Sequence, residues 1–148
     1  MTDFGSLFNG AKKMVGAHVY QAPLPPHCPG DEAFEQEATL FRVCRENPPS
    51  EEDFRPHNES EVPQKQRKAD PANCAGWGLS VWISHDEIVH AREHIMPWMK
   101  RQFVFSSDVE EVEGRLSPAG ENGHHTYWPY ENTDLRERAQ LILEPKGN

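Results

Sequence analysis

The chain has 148 residues, enough for one domain with its own core and no disulfide staples. A net charge of -9 and a pI near 5.3 disfavour a phosphate-backbone binder, which needs a cationic surface to release counterions. Hydrophobic residues make up 36%, mean hydropathy is -0.81 and there are 13 prolines, so the core is expected to be small and much of the chain loop.

Residues 1–20 mix apolar positions with glycines at 5, 10 and 16, each weakening a helix by roughly 1 kcal/mol, and read as a short arm. Met1-Thr2-Asp3-Phe4 lacks the cationic start and apolar run of a signal peptide. No segment approaches the ~20 apolar residues that span a bilayer. Ala22 to Gly30 is rich in proline, which bars it from a helix interior, and reads as an extended connector. Residues 1–30 are therefore expected to be an arm and connector, and residues 31–148 a single domain.

Asp31 is placed to cap a short helix from Glu32 to Ala38, and Thr39 to Cys44 reads as a strand. Residues 46–72 carry prolines and charges with only Phe54 and Val62 apolar enough to reach a core. They are expected to form a surface excursion pinned by Phe54. Within it, Lys65-Gln66-Arg67-Lys68 reads as solvated loop. Gly78 to Ile83 alternates as a strand. Ser84-His85-Asp86-Glu87 matches a capping box and predicts a helix to Ile95 or Met96, stopped by Pro97. Its buried stripe is expected at Ile88, Ala91 and Ile95. Phe103 to Ser106 and Val109 to Ser117 read as strands, the latter joined through Pro118 to Gly123 to a hairpin partner at His124 to Trp128. Asn132 or Thr133 is expected to cap a last helix through Leu143, with Leu135, Ala139 and Ile142 on one face. This order predicts an α+β fold: a small, mostly antiparallel sheet, two main helices and a long polar loop containing proline.

Cys28, Cys44 and Cys74 are an odd number with no close pair, which points away from a disulfide scaffold and from a zinc ribbon. A soluble protein of a reducing cytoplasm is the expectation.

Eight histidines are the main chemical lead. His90-Ala91-Arg92-Glu93-His94 resembles the H-x-x-E-H pattern of inverted zinc peptidases, in which two imidazoles one turn apart hold zinc and the glutamate activates a water. Those enzymes take a further ligand from far downstream in a much larger domain. The smaller expectation is a divalent metal on Glu87, His90 and His94, completed by His124 or His125. An ordinary polar helix face accounts for the same residues.

His124-His125-Thr126-Tyr127-Trp128-Pro129-Tyr130 is the densest group of polar-tipped aromatics in the chain. One side of that strand should pack on the core, while the other offers rings for stacking a ligand; His124, His125, Tyr127 and Trp128 are the candidates. Arg42 on an early strand, Ser80 on a second and Glu110, Glu111 or Glu113 on a third are similar in order to a known set. It is the arginine, serine and glutamate of some NAD-dependent ADP-ribosyltransferases. That similarity implies Arg42 on phosphates, Ser80 bracing the site and a glutamate such as Glu111 orienting the nicotinamide ribose. The sequence favours a binding or accessory module that recognises a protein or small molecule through the hairpin. The alternative is a small enzyme, metal-assisted or acting on a nucleotide. Nucleic acid and membrane are not expected partners.

Overall fold

Successive side chains of a strand point to opposite faces, so a strand buried on both sides needs apolar residues throughout, and an edge strand does not. The computed structural model, which describes residues 14–15 and 18–146, departs from that rule at His125, Thr126, Ser106 and Ser107, which are polar and buried within strands. A two-residue ladder, β1 (Met14–Val15) with β2 (His18–Val19), precedes β3 (Ala38–Cys44), β4 (Leu79–Trp82), β5 (Phe103–Val109), β6 (Gly114–Leu116), β7 (His124–Pro129) and β8 (Gln140–Leu143). Strands β3 to β8 form one antiparallel sheet in the order β6-β7-β4-β3-β5-β8. The inner strand β7 is buried along most of its length, whereas the edge strand β8 is largely exposed. Most of the expected amino-terminal arm lies outside the described residues.

Three short helices accompany the sheet: α1 (Pro63–Arg67), α2 (His85–His90) and α3 (Leu135–Arg138). The Ser84 hydroxyl caps α2 by accepting from the Glu87 N–H at 3.2 Å. Ile88 from this helix and Ala91 just after it pack with Phe41, Trp82, Met99 and Val104 on one face of the sheet. Leu40, Leu79, Val81, Val109, Leu116, Tyr127 and Leu135 fill the other. A third cluster sets Tyr20, Ala22, Leu24, Cys28 and Ala33 against Trp128 and Tyr130, so the proline-rich connector is packed onto the sheet. No helix among the described residues is long and apolar enough to cross a membrane.

The α+β content and the antiparallel sheet agree with the expectation; the helices agree only loosely. No helix forms over residues 32–38. Phe34 instead exchanges backbone bonds with Leu116 at 2.9 and 2.8 Å, covering the free edge of β6 and using the groups a helix would have needed. The last helix stops at Arg138, and the chain then pairs with β5 as β8. Leu135 is buried while Ile142 is exposed, so the helical spacing of Leu135, Ala139 and Ile142 never forms one face. An open ladder along β5 satisfies more backbone groups than a solvated helix turn, and tertiary pairing overrides the local pattern.

After His90 the helix continues as a π-helical turn, Ala91–Ile95, closed by Met96 N–H to the Ala91 carbonyl at 2.7 Å. A π turn takes one more residue per turn than an α turn. It rotates Ile95 out to 41% exposure and turns Arg92 inward to 2%. The expected stripe is therefore corrected at Ile95.

The reading of the cysteines is also corrected. Cys28 and Cys74, 46 residues apart, form a disulfide with a Cα–Cα distance of 5.5 Å. Cys44 is a buried free thiol.

Candidate functional site

Strand β3 pairs with β5 along its whole length but with β4 at one position, Phe41 opposite Trp82. Beyond that pair the two strands part. The gap is a cleft of about 410 Å³ lined by Arg42 and Val43 of β3, Ser80 and Trp82 of β4, and His124 of β7. The excursion closes it with Glu52, Arg55, His57 and Lys65, and Met96 and Trp98 form part of the rim.

Arg42 bridges the place where the ladder fails. Its Nη1 donates to the Ser80 carbonyl at 2.9 Å and its Nε to the Asp53 carbonyl at 2.8 Å. The guanidinium lies 5.7 Å from the centre of the Phe54 ring, a cation–π contact that pins the excursion where Phe54 was expected to pin it. Burial lowers the Arg42 pKa from the ordinary arginine value, with Cys44 and Asp53 acting in the opposite direction.

The two acids of the cleft are already engaged. Asp53, buried, accepts from the backbone N–H groups of Arg45, Glu46 and Ser50 at 2.8, 3.2 and 3.0 Å. Glu52 accepts from Ser60 and Arg55 side chains and from the Glu61 N–H. Burial pushes the Glu52 carboxyl up, but those donors outweigh it and its pKa is lowered. Arg45 and Lys65 line the same cleft and have no salt-bridge partner among the described residues. Arg42, Arg45, Arg55 and Lys65 thus share the cleft lining with the two carboxyl groups, and the Lys65 charge also acts on Glu52.

His124 meets Trp82 edge to face at 5.3 Å, and the Trp82 indole donates to the Asn122 carbonyl at 3.0 Å. Burial depresses the His124 pKa, and the neighbouring His125 adds to the effect. His125 itself is 5% exposed and its Nδ1 lies 2.7 Å from the Ser117 carbonyl. Tyr127 is 1% exposed and Trp128 5%, with the Trp128 indole donating to the Cys74 carbonyl at 3.1 Å. These rings pack on opposite sides of β7, in separate core clusters.

Glu87, His90 and His94 are exposed on the helix, and the two imidazoles lie 5.1 Å apart. The Glu87 carboxylate sits over Gly123, whose φ of 76° and lack of a Cβ admit it; a Cβ there would stand 2.3 Å from Glu87 Oε2. No group of three or more His, Cys, Asp or Glu among the described residues is placed to hold a metal ion. Glu111 is exposed on the turn Glu111–Glu113 after β5 and does not line the cleft, and neither do Glu110 and Glu113. Glu113 is bound to Arg138 at 2.6 Å.

Of the residues singled out in the sequence, the structure brings together Arg42, Ser80 and His124. Arg45, Lys65 and Trp98 join them from segments whose only signal was charge or an isolated ring. No family model matches the chain, and no curated protein or solved structure is significantly similar to it.

Proposed function

We propose that the protein is a small-ligand binding module whose cleft, opened where β3 and β4 separate, takes an anionic molecule bearing a flat ring. Nucleotides are the chemical class that joins both features. Charge placement carries this reading. On a chain of net charge -9, Arg42, Arg45 and Lys65 line one cleft, and its two acids are occupied by protein donors. An anion there meets cationic donors in a partly desolvated site, where such hydrogen bonds are strongest. Trp98, 57% exposed, supplies an open ring face for stacking, and neutral His124 supplies one further hydrogen-bonding group. The hairpin contributes through His124, while Tyr127 and Trp128 hold the strand that carries it.

Calorimetric titration with ADP, pyrophosphate and adenosine tests this. ADP is expected to bind most tightly and pyrophosphate next, with both weakened by salt and by an Arg45→Ala/Lys65→Ala double variant. Absence of binding by both ADP and pyrophosphate at millimolar concentration would remove the proposal.

One observation supports a second reading, NAD-dependent group transfer: Arg42 and Ser80 meet in the same cleft. The ribose-orienting carboxylate is the missing part, since Glu111 lies outside the lining. Nicotinamide release from NAD by the wild type, lost in Arg42→Ala, is the expected outcome under that reading. No release by the wild type ends it.

A cytoplasmic location fits the Cys28–Cys74 bond only if the bond turns over, because disulfides in reducing compartments are usually transient or redox-sensing.

A further inference from the structure

We infer that the Cys28–Cys74 pair is a thiol–disulfide exchange site for a dithiol reductant, and that its reduction releases one wall of the cleft. The ligand-binding readout of this inference rests on the function proposed above; the exchange chemistry does not.

The turn Cys74–Trp77 holds the carboxyl-terminal part of the excursion, while Arg42 holds Asp53 and Phe54 at its start. The Asn58 side chain packs against Gly76, where a Cβ would stand 2.7 Å from Nδ2, so a side chain at this position would displace Asn58. The same Asn58 amide exchanges hydrogen bonds with the backbone of Asp70 at 2.8 and 3.2 Å. The Trp77 indole donates to the Pro71 carbonyl at 2.9 Å. Ala75 and Gly78, within and just after the turn, line the cleft together with Arg42 and Lys65. From the other side the turn is held by the disulfide to Cys28, buried among Ala22, Leu24 and Tyr130, and by the Trp128 indole on the Cys74 carbonyl. Cutting the disulfide removes the covalent half of that anchor and opens the loop that contains the whole excursion.

Cys28 is 1% exposed and Cys74 is the more exposed partner. A reductant thiolate therefore attacks the Cys74 sulfur, and the Cys28 thiolate leaves and takes up a proton. The second thiol of the reductant then attacks its own sulfur in the mixed disulfide, releasing Cys74 as a thiol. The reductant leaves as an intramolecular disulfide, so two electrons and two protons have passed to the protein. Cys44 does not compete, because it is sealed within β3 and burial pushes its pKa up to about 12.

The test compares the full chain, air-oxidised and dithiothreitol-treated, by thiol titration, hydrogen exchange and pyrophosphate binding. Cys44→Ser serves as the control and Cys28→Ser/Cys74→Ser as a permanently open form. Reduction is expected to free two thiols, raise exchange within residues 52–68 and weaken pyrophosphate about tenfold, a change of 1.4 kcal/mol. Cys44→Ser should behave as wild type, and the double variant as the reduced protein in both conditions. The inference is overturned by free Cys28 and Cys74 thiols in the oxidised sample. Unchanged exchange within 52–68 on reduction overturns it, as does a rise there no larger than the uniform rise that lost global stability gives across the sheet, which would mark a plain structural staple. If oxidised protein binds no pyrophosphate while exchange within 52–68 still rises, the ligand reading fails and the exchange site stands.

Discussion

Arg42 donates to the Ser80 carbonyl at the place where β3 and β4 stop pairing, so one side chain stands in for the ladder bonds that the two strands do not make. Arg42→Ala leaves the Ser80 and Asp53 carbonyls without that donor, and a loss of about 1–3 kcal/mol in urea unfolding is expected. The same variant should lose pyrophosphate binding. Arg42→Lys retains the charge without the planar fork, so it should bind detectably but more weakly than wild type. Wild-type affinity in Arg42→Ala would separate this residue from the ligand site.

A second arginine has a purely structural task. Arg92, 2% exposed, donates to the carbonyls of Met99, Lys100, Gln102 and Glu144, tying the chain after α2 to the segment that follows β8. Arg92→Met keeps volume but leaves these acceptors without their donor, and should cost about 3 kcal/mol or more. Thermal unfolding measures the loss. Hydrogen exchange should show residues 140–146 opening first.

Acid should weaken the fold in two windows. The folded-state pKa of His124 is depressed, so the unfolded chain takes up that proton first; stability present above about pH 6.5 is lost as pH falls below it. Glu113 is held below the usual carboxylate range by its hydrogen bonds from Arg138, so its contribution is present above about pH 4.3 and lost at lower pH. His124→Gln should flatten the upper limb of a stability-against-pH curve and Arg138→Ala the lower. A curve unchanged by either variant would contradict this assignment.

The disulfide should contribute to global stability as well as to the cleft wall. Cys28→Ser/Cys74→Ser is expected to cost about 2–4 kcal/mol, chiefly by freeing the unfolded chain. Guanidinium unfolding of the variant beside oxidised and reduced wild type checks the value, and the reduced wild type should match the variant.

Features encoded within a few neighbouring residues were legible in the sequence. β-Branched and apolar content marked β3, alternation marked β4, the Ser84 cap marked the start of α2, and the turn before His124 marked the β6–β7 hairpin. Phe54 was recognisable as the apolar anchor of the excursion because it had so few competitors. The chain from Leu135 to Leu143 shows the opposite case. Its apolar spacing suits a helix, and only the open edge of β5 makes it a strand after Arg138.

The candidate site was legible as residue types and not as a place. Arg42 and Ser80 were singled out for their order, and His124 for its neighbours, yet their convergence depends on a sheet that splits after Phe41–Trp82. Lys65 looked like solvated charge until the excursion folded back over the cleft.

Composition, alternation and capping are local properties, and by themselves they determined an acidic α+β chain with a mostly antiparallel sheet and a long polar excursion. Tertiary structure alone decided that Cys28 meets Cys74, that Arg92 turns inward at a π turn, and that three distant residues line one cleft. Those outcomes rest on pairings between residues far apart in the chain. Their energy appears only when loop closure brings the partners together, and no window of neighbouring residues records it.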